Sequence, residues 1–299
     1  MAAIIEGQLD LDKAQPQSTN LAAVVSAMGG NPKVTDLLLS AVQHASTRNT
    51  TRWQKSLGLS LTSTRSEQER LLNIIEGDLE EIRDILKTVS IMKWNPERIS
   101  EVVSGYGELW SSQVLSALMN KRSNKKVIHN FVYIDARRVI TIDEEAIQDG
   151  VVVWKMSEEK LSKLVEEEEA KLMDDSEVLH LVITGYVAIN THGVAVTLKR
   201  DGSDYSAAIM GKLLRANSIS IWTDVDGILS ADPRRVPLAN VLPEVSYDEA
   251  MELAYFGAKV IHSKTMQPSI SCDPPIPIYI RNTFNISSPG TRIFITSTT

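Results

Sequence analysis

With 299 residues, the chain is long enough to bury a substantial core, as one large α/β domain or two smaller ones. An apolar content of 43%, a charged content of 23% and a formal charge of −7 are those of a soluble globular protein. They argue against non-specific binding to nucleic acid, which needs a basic face. Cys272 is the only cysteine, so no disulfide can form within the chain and a reducing compartment is expected. No base is suggested near Cys272, so it reads as an incidental loop thiol rather than a nucleophile. No apolar run reaches the roughly 18 residues of a membrane span.

Residues 1–20 read as a weakly structured lead-in that ends in the polar stretch from Gln15 to Asn20. Leu21–Ser26 has the length and apolarity of a strand, and the breakers from Met28 to Pro32 make a loop. Val34–Ala45 reads as a helix. From Thr64 to Lys93, Leu71, Leu72, Ile75, Leu79, Ile82, Leu86 and Val89 recur at steps of three and four, the stripe of a long amphipathic helix. Thr64 and Glu67 offer a capping box at its start. A further helix is expected over Glu108–Met119, with Gly105-Tyr106-Gly107 ahead of it.

Phe131–Ile134, Leu179–Thr184 and Ser218–Thr223 read as strands. Eight acidic residues and three lysines between Glu158 and Asp175 surround Leu161, Leu164 and Leu172, which is the pattern of a solvated surface helix. This alternation predicts an α/β chain whose largely parallel sheet is covered by helices on both faces. The tail 296–299 is polar and expected to fray.

Several chemistries are excluded by motif. No G-x-x-x-x-G-K-[ST] phosphate loop and no protein-kinase motif set occur. His44, His129, His180, His192 and His262 lack metal-ligand spacing and read as structural or surface residues, so no metal site is expected.

Two loops carry more. In Thr197-Leu198-Lys199-Arg200-Asp201-Gly202-Ser203-Asp204-Tyr205-Ser206-Ala207-Ala208, Gly202 allows a close turn. Ser203 and Asp204 then stand where a helix would begin. Such an N-terminus offers free amides to an anion, and Arg200 adds a planar donor fork. This reads as a carboxylate or phosphate site, with a plain helix cap as the alternative. In Trp222-Thr223-Asp224-Val225-Asp226-Gly227-Ile228-Leu229-Ser230-Ala231-Asp232-Pro233-Arg234, a strand delivers Thr223 and Asp224 to the carboxyl end of a sheet, where open α/β sheets bind ligands. Gly227 permits a tight loop. The alternative is a surface turn rich in aspartate.

These two loops resemble the signature loops of the aspartate kinases, members of the amino-acid kinase family, and the resemblance runs from about Val24 to Ile295. Gly257-Ala258-Lys259-Val260-Ile261-His262, Gly107-Glu108 and Ser26-Ala27-Met28 with Thr35 match further family elements. So do Gly185-Tyr186, Arg281-Asn282-Thr283-Phe284 and Pro289-Gly290-Thr291. The Glu-Leu-Trp-Ser and Leu-Lys-Arg-Asp-Gly-Ser-Asp variants are most similar to the kinase half of bifunctional aspartate kinase–homoserine dehydrogenases. No G-x-G-x-x-G of a dehydrogenase half occurs, and the chain stops before the family's regulatory domains would begin.

The resemblance implies a three-layer αβα fold with a mainly parallel central sheet, occupying 21–295. Its aspartate-binding part comes first and its ATP-binding part starts at about 195. It implies ATP-dependent, Mg2+-supported phosphorylation of L-aspartate on its side-chain carboxylate, the first step toward lysine, threonine and methionine. In that pattern Arg200 takes the α-carboxylate and Glu108 the α-ammonium. Ser26, Thr35, Tyr186 and Ser203 line the substrate, and Asp204 lies near the reacting end. Thr223, Asp224, Arg234 and Lys259 hold ATP, Lys259 with a catalytic share through the phosphates. Leu229 stands where the family often has an aromatic residue against the base.

The family's Lys-Phe-Gly-Gly opening is missing, and with it the expected first strand and a cation that stabilises the transferring phosphoryl group. Two alternatives follow: a catalytically impaired aspartate kinase acting as a binding or partner protein, and a sister kinase for an acetylglutamate-like substrate or a nucleotide. The expected partners are aspartate, ATP and a second copy or a full-length aspartate kinase, with neither nucleic acid nor membrane. Glu6, Asp10 and Asp12, with no Arg in the first twenty residues, are unlike a secretory signal or a transit peptide. The expected location is the cytoplasm, or a plastid if a transit peptide precedes this chain.

Overall fold

The computed structural model describes residues 20–29, 33–46, 65–93, 97–122, 128–145, 151–173, 177–199, 202–232, 234–255 and 261–296. Residues 1–19 of the lead-in, Thr64, Asp174, Asp175, Arg200 and Lys259 lie outside the described residues. The chain divides into two compact units, Gln15–Gly202 and Ser203–Thr299.

In the first unit, β1 (Ala22–Val25), β2 (Ile128–Ile134) and β5 (Glu177–Thr184) form an all-parallel sheet in the order β1-β5-β2. The central strand β5 is buried along nearly its whole length, as a parallel strand covered on both faces must be. Val25 pairs with Thr184, so β1 and β5 end together and hand their following residues to one edge.

Three helices flank this sheet: α1 (Val34–Ser46), α2 (Arg65–Met92) and α3 (Glu97–Arg122). The expected stripe on α2 is buried at Leu71, Ile75, Ile82, Leu86 and Val89 and packs with Leu38, Val42, Val103, Leu109 and Trp110. Each such side chain contributes about 1.5–3 kcal/mol when fully buried. Leu72 departs from the stripe and is 40% exposed, because it lies one position round from Leu71 and points to solvent. The capping box rests on Thr64, which lies outside the described residues; the Glu67 carboxylate accepts from Arg70 one turn on, at 2.6 Å.

The α3 helix corrects the sequence reading more strongly. It starts at Glu97, so Gly105 and Gly107 lie inside it rather than ahead of it. Packing is the reason. A Cβ at Gly105 would stand 2.7 Å from Val187 Cγ1, and one at Gly107 would stand 2.9 Å from the Ala27 Cβ. The helix gives up propensity of about 1 kcal/mol per glycine to pass close to the strands. Buried Trp110 donates its indole N–H to Asp78 Oδ2 at 2.7 Å, and Tyr106 donates its hydroxyl to Glu81 Oε2 at 2.8 Å, tying α3 to α2.

His180 on β5 is buried and accepts the Leu21 amide on Nδ1 at 3.1 Å. Its Nε2 therefore carries the proton and donates to His129 Nδ1 at 2.8 Å. Burial, with His129 beside it, lowers the His180 pKa to about 4.

A second sheet of this unit, in the order β4-β3-β6-β7, joins β3 (Thr141–Asp143), β4 (Val151–Val152), β6 (Val187–Asn190) and β7 (Ala195–Thr197). The acidic segment forms α4 (Trp154–Glu169), with Leu161 and Leu164 buried. It ends before Leu172, so the helix is shorter than the charge run.

The second unit starts with α5 (Gly202–Leu213). It continues through β8 (Ile219–Thr223), β9 (Glu244–Ser246), α6 (Tyr247–Tyr255), α7 (Ser263–Ile270), β10 (Ile278–Asn282) and β11 (Thr291–Phe294). Its sheet runs β8-β10-β11-β9, with β8-β10 and β11-β9 parallel and β10-β11 antiparallel. Ile219, Ile221, Ile278, Ile280, Ile293 and Val245 turn one face onto Ala208, Tyr247, Ala250 and Met266 of the helices. The α/β class with mainly parallel pairing is thus present. Its strands are distributed over three hydrogen-bonded sheets among the described residues.

Candidate functional site

In the first unit, four of the expected residues meet where β1 and β5 end. Ser26 and Ala27 follow β1, and Gly185 and Tyr186 follow β5; the Gly185 amide donates to Val25 O at 2.9 Å. Thr35 opens α1, and its Oγ1 lies 3.8 Å from where a Gly107 Cβ would be. Glu108 is the next residue of α3. Ser111 Oγ fastens this helix to the exit of β1 by donating to Ser26 O at 2.6 Å. Glycine at 107 lets α3 come down on Ala27, which sets Glu108 at the strand ends.

Glu108 is 6% exposed. Burial raises its carboxyl to about 7, against the pull of the Ala27 backbone amide and its own. Its Oε2 has no hydrogen-bond partner among the described residues. A buried carboxylate oxygen left unpaired costs about 1–3 kcal/mol or more, and a cationic group placed against it would relieve that cost and restore the ordinary ionisation.

Tyr186 has φ +67, a left-handed backbone that is uncommon outside glycine. Its carbonyl accepts the Leu198 amide at 2.7 Å, so the end of β7 returns to this corner. Lys199 also has a positive φ, +55, at the start of the first signature loop. Arg200, the expected carboxylate fork, lies outside the described residues.

Thr197 was not singled out by sequence. It is 3% exposed and its Oγ1 has no hydrogen-bond partner among the described residues. Threonine is an ordinary strand residue, so only its place at the head of the signature loop could have marked it. The backbone amide of Ala27 escaped notice because no side chain announces it.

In the second unit, Ser203 and Asp204 occupy the first turn of α5, after Gly202 at φ +52. The expected helix start is therefore present; a helix N-terminus is the kind of place where an anion is held. Burial raises the Asp204 carboxyl above the usual carboxylate range. Thr223 ends β8, and its Oγ1 donates to Asp224 Oδ1 at 3.2 Å. Beyond them, Gly227 has φ +143, and a Cβ on it would meet Thr291 Oγ1 at 2.5 Å. Leu229 bridges to Val241 and is half-buried. Arg234 is exposed, and its amide donates to Asp232 Oδ1 at 3.0 Å. Lys259 lies outside the described residues.

Cys272 donates to Pro268 O at 3.3 Å, in keeping with a structural thiol. Among the described residues no group of three His, Cys, Asp or Glu side chains is arranged to hold a metal ion. Nor is any helix of these residues long and apolar enough to cross a membrane.

Comparisons with known proteins give the chain's fold and family. The bifunctional aspartokinase/homoserine dehydrogenase 1, chloroplastic, of Arabidopsis thaliana is 37% identical over 279 residues, 90% of this chain and 28% of that protein. Aspartokinase 2, chloroplastic, of the same plant is 34% identical over 276 residues, 90% of this chain and 48% of its own length. The chain thus spans less than half of these relatives. Among solved structures, E. coli aspartokinase III in complex with aspartate and ADP superposes with a TM-score of 0.73 at 23% identity, covering 98% of this chain and 62% of that one. Clostridium acetobutylicum aspartate kinase gives 0.65 at 24% identity, covering 100% and 59%. The fold is therefore that of the aspartate kinases. The profile of the Amino acid kinase family matches residues 10–282, and the chain belongs to that family.

Proposed function

We propose that this chain is the kinase portion of an aspartate kinase, passing the γ-phosphoryl group of ATP to the side-chain carboxylate of L-aspartate. The observation that carries the reading is Glu108, a buried carboxylate whose Oε2 lacks a partner at the ends of β1 and β5. An α-ammonium group is the cation of matching size and charge. The aspartokinase relatives and the E. coli aspartokinase III complex with aspartate and ADP point to the same substrates.

In this reading Arg200 holds the α-carboxylate and Glu108 the α-ammonium, while Ser26, Thr35, Tyr186 and Ser203 orient the substrate. Thr223, Asp224, Leu229, Arg234 and Lys259 hold ATP. Magnesium enters with the nucleotide as MgATP and supplies charge neutralisation at the phosphates. A side-chain carboxylate oxygen attacks the γ-phosphorus, the bond to the β,γ-bridging oxygen breaks and ADP leaves. No covalent enzyme intermediate is needed, and the attacking oxygen has no proton to lose.

In this reading Asp204 is catalytic and lies near the reacting end of the substrate. Burial of its carboxyl raises its pKa, which disfavours the charged form. The product, 4-phospho-L-aspartate, would feed lysine, threonine and methionine synthesis. A second copy or a longer aspartate kinase is the proposed partner, and the cytoplasm the proposed location, with a plastid as the alternative that chloroplastic relatives raise.

Calorimetry with L-aspartate and MgATP, followed by trapping of the acyl phosphate with hydroxylamine, tests the reading. Aspartyl hydroxamate formed only with both substrates is the expected result. Binding of neither by folded protein refutes it, and phosphorylation of N-acetylglutamate or UMP in preference to aspartate transfers the chain to a sister kinase.

A further inference from the structure

Asp226 lies inside the second signature loop, between Asp224 and Leu229. Its Oδ1 accepts two amide donors, Asn282 Nδ2 at 2.9 Å and Asn285 Nδ2 at 3.0 Å. Asn282 is the last residue of β10 and is 8% exposed, and its own Oδ1 accepts the Phe284 amide at 2.8 Å. Between the two asparagines, Thr283 sets both its amide and its hydroxyl on Thr223 O, at 2.8 and 2.9 Å. The ends of β8 and β10 are thus fastened twice, through the backbone of Thr223 and through the carboxylate of Asp226.

The far side of the loop is fixed as well. The Ile228 amide donates to Thr291 Oγ1 at 2.8 Å, and that hydroxyl donates to Leu242 O at 2.6 Å. Ser230 and Asn240 exchange hydrogen bonds at 2.9 and 3.1 Å. The stretch from Thr223 to Ser230 is therefore held in shape by the protein's own groups. Asp226 is the charged acceptor that ties this loop to Asn282 and Asn285, and hydrogen bonds to a charged partner are about twice as strong as neutral ones.

We propose that Asp226 is a positioning residue for the nucleotide: through Asn282 and Asn285 it holds Thr223 and Asp224 in the geometry that receives ATP, without touching ATP itself. This rests on the nucleotide role of the loop proposed above. Preorganisation of this kind appears as affinity, because the loop need not be ordered at the moment of binding.

The test uses the full chain with two readouts, amide hydrogen exchange over residues 224–231 and MgATP affinity by calorimetry, with L-aspartate affinity in parallel. In Asp226→Ala, exchange accelerates and MgATP binding weakens by about tenfold, while L-aspartate binding stays within about twofold, the pattern expected from losing a charged hydrogen-bond pair. Asn285→Ala removes one exposed donor, leaves the fold intact and gives a smaller weakening of the same kind. The exchanged pair Asp226→Asn with Asn282→Asp keeps an oxygen for the Phe284 amide and restores one carboxylate–amide bond, so it recovers both readouts.

Folded Asp226→Ala and Asn285→Ala proteins that bind MgATP as the parent does overturn the brace alone. An exchanged pair that regains exchange protection but not MgATP affinity overturns it too, because the carboxylate at 226 then acts directly on the nucleotide. A parent chain that binds no MgATP overturns the kinase reading and this nucleotide role together.

Discussion

Gly107 on α3 meets Ala27 at the exit of β1 with no space for a side chain between them: a Cβ at 107 would stand 2.9 Å from the Ala27 Cβ and 3.6 Å from Val34 Cγ1. Gly107→Ala must push the helix and the strand exit apart, at a cost of about 1–3 kcal/mol, typical of overpacking. The displaced helix carries Glu108. L-aspartate affinity should fall by more than about tenfold for a loss above 1.4 kcal/mol, with MgATP affinity unchanged. Thermal melting and calorimetry on the same sample check this, and a Gly107→Ala protein that melts and binds like the parent contradicts the close approach.

Glu108→Gln should separate stability from binding. The folded chain raises this carboxyl from 4.5 to about 7, so folding favours its protonated form. The stability it contributes is fully present below pH 4.5 and is lost as pH rises through about 7, by roughly 3 kcal/mol at most. Glutamine cannot ionise and removes that loss, so the variant should be the more stable protein at pH 8 by urea denaturation. It should also bind L-aspartate at least about tenfold more weakly, because a neutral amide replaces a charged acceptor. In the parent, aspartate affinity should rise with pH through 7. A parent whose aspartate affinity is flat from pH 6 to 8 would remove Glu108 from the ammonium site.

His180 gives the opposite pH dependence. Its pKa falls from 6.5 to about 4, so the fold favours the neutral ring, whose Nδ1 accepts the Leu21 amide. That stability is present above pH 6.5 and is lost as pH falls to about 4, by roughly 3 kcal/mol at most. The groups facing the ring are His129, whose own charging would add repulsion, and Phe131, stacked at 4.7 Å. His180→Gln should be less stable at neutral pH and should lose less between pH 6.5 and 4.5. Equal acid sensitivity in parent and variant would assign the effect elsewhere.

On the roles proposed for them above, Arg200 and Lys259 should separate kinetically. Arg200→Ala removes a charge-assisted pair to a carboxylate that is the same before and during reaction, so it should raise the KM for aspartate. Lys259→Ala touches phosphates whose charge redistributes in the transition state, so it should weaken ATP and also lower kcat. Losses of about 10-fold to 1000-fold are expected for removing about 1.5–4 kcal/mol. Arg200→Ala affecting only the ATP requirement would exchange the two loops.

The sequence revealed the elements with the longest apolar stripes and runs, but not short half-buried strands such as β10 and β11. The stripe of α2 and the apolar runs of β1, β2, β5 and β8 follow from periodicity, within a few residues at each end. It misjudged α3, because Gly105 and Gly107, five and three residues before Trp110, signal a turn by propensity, whereas here they mark close packing that only the partners Val187 and Ala27 explain. Short strands such as β4 (Val151–Val152) carry too few residues to show any period. At the candidate site, Glu108, Tyr186, Ser203 and Thr223 were legible through their motifs. The orphaned hydroxyl of Thr197 and the double acceptance at Asp226 were not, since both are properties of partners distant in sequence.

Tyr186 stands at φ +67, where glycine would rest without strain and a side chain costs about 1 kcal/mol or more. Glycine would also allow the chain to swing there, and the tyrosine forbids it. The corner between β5 and β6 therefore behaves as a locked joint, and the Leu198 amide, bonded to the Tyr186 carbonyl, rides on it. Tyr186→Gly should relax the backbone yet unlock that joint. Any side chain borne by the loop after Leu198 would then sample a wider arc. One residue at the exit of β5 thus anchors the backbone of Leu198, twelve residues later in the chain.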